Sequence, residues 1–216
     1  MSHAVVDDVY WETPDVRLIS LRPADADTFA PVDCGSHIDI ALPSGEWRSY
    51  SLINSPGRAG RYRVAVQRGP NSGSVWLTEQ VGTGHALRIR GPHCGLPLAD
   101  DEAPVLLVAG GIGITAFLGM IDALQAQTRP WRLVYAVRSR AAAAFAARLQ
   151  GFGERVQLHV DDEAGGPLSL PALLDATPAG THIYVCGPTP MMQEMERQRA
   201  HRPQLCFHRE QPVHAA

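Results

Sequence analysis

Three glycines stand where a backbone could approach a phosphate group. Gly110, Gly111 and Gly113 follow the apolar run 105–109 and precede a helix-like segment that begins at Thr115. Glycines at such a turn admit a pyrophosphate, and the helix that follows supplies N–H donors and a positive partial charge. The pattern predicts a dinucleotide-binding turn made by the glycines and Thr115. The alternative is a tight strand-to-helix turn that binds no nucleotide and needs the glycines only for close packing.

Basic residues follow the next predicted strand, where a dinucleotide fold reads the ribose. They are Arg138 and Arg140, with Ser139 between them. An acid here binds the ribose 2′-hydroxyl of NADH, whereas arginines pair with a 2′-phosphate and favour NADPH. A solvated loop explains the arginines equally well, so NADPH and NADH both remain open. Asp161 and Asp162, after a later strand, could touch a ribose or form an exposed acidic turn.

A second group of polar side chains lies on a predicted strand of the first half, in the sequence Arg48-Ser49-Tyr50-Ser51-Leu52. An arginine offers a phosphate clamp, a tyrosine a flat ring partner and a serine a small hydrogen-bond donor. The strand is therefore a candidate cofactor site. The alternative is an ordinary segment of a sheet, in which the tyrosine packs against its neighbours and no cofactor binds.

Small residues at 71–74 precede a short predicted helix over 75–80. Backbone N–H groups at such a turn can form a nest for a phosphate, which makes Gly73 and Ser74 candidate binding residues. The alternative is a plain helix cap provided by Ser72 or Ser74.

Cys186, Gly187 and Pro188 stand at the end of another predicted strand. Ligands of doubly wound sheets bind at the carboxyl ends of the strands, so this segment is a candidate part of the nucleotide site. A buried cysteine by itself is more often inert packing. Thr189 and Pro190, which follow, suit the cap and the first turn of a helix.

The first half of the chain has short runs in which apolar and polar residues alternate. They predict strands over 16–21, 37–42, 47–52, 62–68 and 86–90. Such alternation between glycine and proline turns is typical of an antiparallel sheet or barrel.

From residue 103 onward, apolar strands alternate with helices. The strands are predicted over 105–109, 131–137, 156–160, 182–186 and 204–208, and the helices over 115–127, 141–150, 170–175 and 189–200. This order indicates βαβ units and a parallel, doubly wound sheet. We expect an antiparallel β-barrel domain over 1–100 and an α/β domain over 101–216. The acidic segment 100–102 is expected to be a solvated linker.

The composition excludes several classes of protein. The 216 residues carry 19 Lys and Arg against 22 Asp and Glu, a net charge of −3 without a basic stripe, which argues against nucleic-acid binding. The cysteines, at 34, 94, 186 and 206, lack the spacing of a zinc or ferredoxin-type iron–sulfur site. The apolar stretch 103–124 contains glycines and Asp122, so we expect no membrane span. Acids near the N-terminus argue against a signal peptide and for a cytoplasmic protein.

The four motifs occur in an order that resembles the ferredoxin–NADP reductase superfamily. The narrower resemblance is to the phthalate dioxygenase reductase and vanillate demethylase reductase group, and it covers about residues 5–210. It implies that Arg48 meets a flavin phosphate, that Tyr50 lines the isoalloxazine and that Ser51 lies near N5. The turn at Gly73 and Ser74 would complete the phosphate site.

The same resemblance assigns roles to the second half. The glycine turn and Thr115 would bind the nicotinamide nucleotide, and Cys186 would approach the nicotinamide C4. Glu210, two residues after His208, matches the family's His-x-Glu and would be catalytic. The sequence departs from the family twice, because Ala116 replaces a usual proline and Gln211 follows Glu210 in place of the usual aromatic residue.

These correspondences imply a flavin-dependent NAD(P)H oxidoreductase, with FMN expected rather than FAD. The chain ends six residues after Glu210, so we expect it to pass electrons to a separate ferredoxin-type 2Fe-2S protein that serves a terminal oxygenase or demethylase. We expect a hetero-oligomer, without a metal site in this chain. The alternatives are a free-standing flavin reductase, a non-catalytic subunit that binds flavin or nucleotide, and a piece of a longer reductase.

Overall fold

The computed structural model describes residues 2–26, 28–57 and 59–209. The chain divides into two units. The first comprises Met1–Leu98 and Thr115–Ala123, and the second comprises Ala99–Ile114 and Leu124–Pro212. Most of the helix that follows the glycine turn therefore groups with the N-terminal part of the chain.

The first unit contains one antiparallel sheet of six strands. The strands are β1 (Ser2–Thr13), β2 (Val16–Pro23), β3 (Ser36–Ala41), β4 (Trp47–Ser51), β5 (Tyr62–Gln67) and β6 (Ala86–Cys94). Their spatial order is β4-β3-β6-β1-β2-β5, and every pair is antiparallel. A bridge between Leu52 and Val64 links the residue after β4 to β5, so the sheet curls towards closure.

Alternation of side chains explains how this sheet forms. Leu87 and Ile89 of β6 are buried in the apolar core, whereas Arg88 between them is exposed. Side chains of the other strands, among them Ile38 and Ile40, complete the core. Because successive residues of a strand point to opposite faces, one face is apolar and the other polar.

The strand β1 was not expected from the sequence. Acids at Asp7 and Asp8 interrupt its apolar residues and conceal the alternation. In the structure the Asp7 carboxylate accepts a hydrogen bond from Arg61 Nε at 2.7 Å, and these groups hold the pKa of Asp7 below its usual value. A paired carboxylate is compatible with a strand, which a single-sequence pattern cannot reveal.

The short helix of the first unit begins earlier than predicted. Helix α1 (Ser72–Val75) continues into a π-helical turn, Trp76–Gln80. The side chain of Asn71 caps it by accepting a hydrogen bond from the Ser74 N–H at 2.8 Å. The expectation that Ser72 or Ser74 is the cap is therefore wrong, because Asn71 offers the acceptor one turn ahead of that N–H.

The second unit contains a parallel sheet of five strands. They are β7 (Val105–Gly110), β8 (Trp131–Val137), β9 (Val156–Val160), β10 (His182–Cys186) and β11 (Cys206–Arg209). Their order is β11-β10-β7-β8-β9, and every pair is parallel. All six residues of β7 are buried, as expected of a central strand covered on both faces. The predicted fold class, an antiparallel β-barrel domain followed by a doubly wound α/β domain, is confirmed, with the barrel present as a curled sheet of six strands.

Helices connect the strands of the parallel sheet. They are α2 (Thr115–Ala126), α3 (Ala146–Gln150), α4 (Asp161–Ala164), α5 (Leu170–Asp175) and α6 (Thr189–Arg199), with 3₁₀ turns at Gly111–Ile114, Arg140–Ala142 and Gly153–Arg155. Among the described residues, no helix has the length and apolarity required to cross a bilayer.

Several bounds differ from the sequence-based expectation, and strand β6, for example, continues to Cys94 rather than ending at residue 90. The helix expected over 141–150 is interrupted, because buried Phe145 adopts a left-handed conformation with φ of 61° between the 3₁₀ turn and α3. The last strand covers Cys206–Arg209 rather than 204–208. Thr189 does not cap α6 but is its first residue, and Pro188 occupies the cap position.

Candidate functional site

Strand β4 places Arg48 and Tyr50 on one face and Ser49 and Ser51 on the other. The Arg48 side chain is 53% exposed and lies 3.5 Å from the Glu46 carboxylate. An exposed pair at this distance contributes little free energy, so an incoming phosphate can replace Glu46 as the partner of Arg48.

The Tyr50 ring packs against the core of the first unit, opposite Ile38 in β3. Burial raises the pKa of Tyr50 to about 12, so its hydroxyl stays protonated and remains a donor at any physiological pH. Leu52, at 3% exposure, belongs to the core, and its N–H donates to the Ser36 carbonyl at 2.8 Å. Leu52 is therefore a packing residue in this structure.

The two serines of β4 differ in their partners. The Ser49 hydroxyl donates to Asp39 Oδ1 at 2.6 Å across the β3–β4 ladder. Ser51 is half-buried and stands opposite His37, which is 1% exposed. The Ser49 hydroxyl is thus committed to the sheet, and Ser51 lies on the same face of the sheet as a buried imidazole.

The turn at Gly73 packs against the hairpin that carries Arg48. A Cβ at Gly73 would lie 2.5 Å from Leu42 Cδ1, so a larger residue at this position would displace the Leu42 side chain. The Leu42 N–H in turn donates to the Glu46 carbonyl at 2.8 Å, within the hairpin. The structure therefore brings together the two first-unit motifs that the sequence analysis selected.

The donors of this turn are backbone groups rather than the Ser74 hydroxyl. That hydroxyl donates to the carbonyls of Asn71 at 3.0 Å and Gly69 at 3.2 Å. Helix geometry leaves the N–H groups of Ser72 and Gly73 without an acceptor inside the helix. These two N–H groups are the ones suited to a phosphate.

In the second unit the glycine turn packs against the end of β10. A Cβ at Gly113 would lie 2.2 Å from the Cys186 carbonyl oxygen, and one at Gly110 would lie 2.7 Å from Pro188 Cδ. Gly187 completes the contact, because its Cβ would lie 3.1 Å from Gly110 Cα. The glycine and Cys-Gly-Pro motifs thus meet at the carboxyl edge of the sheet.

The reason why glycine is needed differs from one position of this turn to the next. Packing against β10 requires Gly110 and Gly113, as the alternative interpretation of the sequence held. Gly111 has a positive φ of 53° with nothing within 4 Å of its Cβ position, so it forms the open side of the turn. Thr115, at 6% exposure, begins α2, and Cys186 is half-buried. A ligand at this turn would approach the backbone at Gly111, where no atom lies within 4 Å of the Cβ position.

The arginines after β8 face the acidic helix α4. Arg140 donates to both carboxylate oxygens of Glu163, from Nε at 2.9 Å and from a terminal nitrogen at 2.6 Å. The Asp162 N–H donates to the Arg138 carbonyl at 3.1 Å. Ser139 is half-buried between the arginines. Glu163 was not expected from the sequence, although a third acid after Asp161 and Asp162, at the end of the adjacent strand, was a usable signal.

A polar cluster in the second unit also escaped the sequence analysis. His182 Nε2 lies 2.9 Å from Asp101 Oδ2, and His182 Nδ1 lies 2.7 Å from His208 Nε2. The His208 ring stacks on Tyr184 at 4.4 Å. Burial and the neighbouring His182 hold the pKa of His208 below its usual 6.5. No spacing in the sequence connects these residues, because the β10–β11 pairing creates the contact.

Arg129 ties the predicted linker to this cluster. Its side chain is 3% exposed and donates to Asp101 Oδ1 at 2.8 Å and to the carbonyls of Ala99 and Ala103, each at 2.6 Å. Burial alone would raise the pKa of Asp101, but the hydrogen bonds from the Ala103 N–H and His182 lower it. The acidic segment is therefore a bonded part of the second unit, not simply a solvated linker.

Comparison with known proteins identifies the family. The family described as "Oxidoreductase NAD-binding domain" matches residues 107–197. The chain is 38% identical over 216 residues to the vanillate O-demethylase oxidoreductase of Pseudomonas putida, covering 97% of this chain and 68% of that protein. The structure matches phthalate dioxygenase reductase with a TM-score of 0.85 and 27% identity, covering 96% of this chain and 67% of that one.

The chain belongs to the phthalate dioxygenase reductase and vanillate demethylase reductase group of the ferredoxin–NADP reductase superfamily. The resemblance inferred from the four motifs is thereby confirmed. The chain is also 42% identical to the phenoxybenzoate dioxygenase subunit beta of Ectopseudomonas oleovorans, over 84% of this chain and 58% of that protein. It spans about 60% of the length of the first curated relatives that it matches.

Membership of this reductase family supports a flavin and a pyridine nucleotide as cofactors. The residues present fit both groups. The exposed Arg48 and the N–H groups at the start of α1, which have no acceptor within the helix, suit a phosphate, and Gly73 has no side chain between them and Leu42. In the second unit, the open side of the turn at Gly111 suits a backbone approach to a pyrophosphate.

The described geometry includes neither Glu210 nor a single unit that carries both Ser51 and Cys186. Glu210 lies outside the described residues. Ser51 belongs to the first unit and Cys186 to the second. Among the described residues, no group of three or more potential ligands could hold a metal ion.

Proposed function

We propose that this chain is the reductase component of a multicomponent oxygenase or demethylase. It takes a hydride from NAD(P)H through a flavin and passes single electrons to an iron–sulfur centre on a separate polypeptide. The observation that carries the proposal is the pairing of motifs within each unit. The Gly73 turn packs on the hairpin of Arg48, and the Gly110–Gly113 turn packs on Cys186.

The residues of the first unit bind and orient a flavin. Arg48 and the N–H groups of Ser72 and Gly73 hold the phosphate. Tyr50, whose pKa of about 12 keeps it protonated, borders the ring system with a neutral hydroxyl. Ser51 provides a hydrogen-bonding group near N5. The hydroxyl of Ser49 donates a hydrogen bond to Asp39 within the sheet.

The glycine turn, the start of α2 and the end of β10 bind the nicotinamide nucleotide. The turn at Gly111 receives the pyrophosphate, and Thr115 lies near the nicotinamide end of the site. Cys186, at the carboxyl end of β10, approaches the nicotinamide C4. Glu210 is proposed as a catalytic acid by its family match. A bound flavin converts a two-electron donor into a source of single electrons, and the protein supplies the orientation.

The flavin is proposed to be FMN, because the phthalate group of the family binds FMN. The test is to purify the chain, denature it and identify the released flavin by chromatography. One FMN per chain is the expected result. FAD instead would overturn the choice of flavin, and a colourless protein that neither flavin reconstitutes would overturn the proposed function.

Electron transfer to a separate partner is tested by anaerobic kinetics. NADH or NADPH should bleach the visible flavin absorbance, and an oxidised ferredoxin-type 2Fe-2S protein should restore it. A flavin that is bound but never bleached would instead indicate a non-catalytic binding subunit.

We place the protein in the cytoplasm. Its four cysteines are free thiols, and a reducing compartment keeps them so. Fractionation of the cells with an antibody against the chain would test this, and recovery in the periplasm or the membrane would contradict it.

A further inference from the structure

We propose that Glu163 sets the nucleotide preference towards NADH by holding Arg140 away from a 2′-phosphate. This inference rests on the proposed nucleotide site and adds the residue that discriminates between the two coenzymes. The sequence did not distinguish between NADH and NADPH as the coenzyme. The preference for NADH is inferred from the contacts between α4 and the loop after β8.

The position of the pair follows from the sheet. Strands β8 and β9 are adjacent and parallel, with Val137 opposite Val160 at their carboxyl ends. The arginine loop follows β8, and α4 follows β9. In doubly wound nucleotide folds the ribose is read beyond the end of the strand that follows the glycine turn. Arg140 and Glu163 therefore stand where the 2′-position of the nucleotide is recognised.

The ion pair with Glu163 occupies the hydrogen-bonding edge of the Arg140 guanidinium. Two parallel hydrogen bonds, of 2.9 Å and 2.6 Å, use the same fork of the guanidinium that a phosphate would use. The mutual hydrogen bonds raise the pKa of Arg140 and lower that of Glu163, so both groups stay ionised. Because both side chains are more than half exposed, Glu163 competes with the nucleotide rather than excluding it.

The other acids of helix α4 act in the same direction as Glu163, and Arg138 acts against them. Helix α4 contributes Asp161, Asp162 and Glu163, and the loop contributes Arg138 and Arg140. Asp161 lies 3.3 Å from His159, and the backbone bond from Asp162 to Arg138 fixes the acidic helix beside the loop. A 2′-phosphate brings further negative charge to this place, whereas a ribose hydroxyl donates to a carboxylate.

The experiment compares Glu163→Gln with the matched control Glu102→Gln, an exposed acid of the segment 100–102. The ratio of kcat/KM for NADPH to that for NADH is measured on the flavin-loaded protein. Calorimetry of 2′,5′-ADP and of 5′-AMP binding provides a readout that is independent of turnover. For Glu163→Gln we expect the ratio and the affinity for 2′,5′-ADP to rise about fivefold, the scale of one exposed charge pair.

A double-mutant cycle assigns the effect to the pair. Adding Arg140→Gln to Glu163→Gln should remove the gain, and raised salt should shrink it. A wild-type preference for NADPH, or a Glu163→Gln ratio equal to that of Glu102→Gln, overturns the inference while the proposed function stands. Absence of flavin reduction by either nucleotide in the wild type would overturn the proposed function instead.

Discussion

The carbonyl oxygen of Cys186 lies only 2.2 Å from the position that a Cβ of Gly113 would take. The contact joins the turn after β7 to the end of β10, two strands that are neighbours in the parallel sheet. A glycine at this position is therefore required by the packing of backbone on backbone. The contact also fixes the position of the glycine turn, so the backbone that a ligand would meet is held in place before the ligand binds.

The variant Gly113→Ala should destabilise the second unit. The obstructing atom is a backbone oxygen, which cannot rotate away as a side chain would, so we expect the free energy of unfolding to fall by about 3 kcal/mol. Urea denaturation followed by tryptophan fluorescence measures this. Gly82→Ala is the control, because nothing lies within 4 Å of its Cβ position. Equal stabilities of the two variants would contradict the packing argument.

The variant Asn71→Ala should loosen the start of α1. It removes the side-chain acceptor of the Ser74 N–H, and the loss of such a cap costs about 1 kcal/mol. Hydrogen exchange of the Ser74 amide should accelerate accordingly. Asn71→Asp keeps an acceptor, so its exchange should stay close to wild type, while its negative charge should weaken flavin phosphate binding. Fast exchange in both variants would show that the cap is not the cause.

Stability should fall when the pH drops through the range in which His208 titrates. The unfolded chain has a His208 pKa near 6.5, and burial beside His182 lowers the pKa in the folded protein. The unfolded state then binds more protons between these values, so the stabilisation is complete above 6.5 and is lost as the pH falls through the folded pKa. Asp101, whose pKa is also lowered, contributes to a separate loss of stability below pH 3.8, the ordinary pKa of this carboxyl group.

The measurement is the urea midpoint between about pH 7 and pH 5, the interval in which histidines titrate. His208→Gln should flatten the dependence in this interval, and His201→Gln, which changes an exposed residue, should leave it intact. A wild-type midpoint that does not decrease towards acid pH would refute the role of His208.

Removal of the Arg129 guanidinium should be costly. Arg129→Met removes the side-chain donor to the carbonyls of Ala99 and Ala103 and one of the donors to the Asp101 carboxylate, and we expect a loss of about 2–3 kcal/mol. Arg132→Met, on an exposed position of β8, is the matched control. Thermal unfolding should separate the two variants by several degrees, and coincident curves would contradict the argument.

The sequence predicted what depends on local periodicity. Strands β8, β9 and β10 and helix α5 have the expected bounds, because uninterrupted apolar runs or clear turn residues delimit them. The pattern failed where a tertiary contact overrides it. Arg61 makes Asp7 compatible with β1, and burial of Phe145 breaks a helix that an alanine run favours.

The candidate site, like the fold, has features that the sequence predicts and features that only the structure reveals. The motifs themselves could be found from residue types and from the order in which they occur. The partner of each side chain could not, because Asp39 binds Ser49 and Glu163 binds Arg140 across strands that only the sheet brings together. The packing roles of Gly110 and Gly113 likewise require the position of β10.

The strand order of the second unit has a consequence for synthesis of the chain on the ribosome. Strand β7 can pair with β8 soon after both emerge, but its other edge is reserved for β10, which begins at His182. At about 5–20 residues per second, the wholly apolar β7 waits several seconds with one edge unpaired. Nascent chains are therefore most prone to aggregate in the interval before β10 emerges.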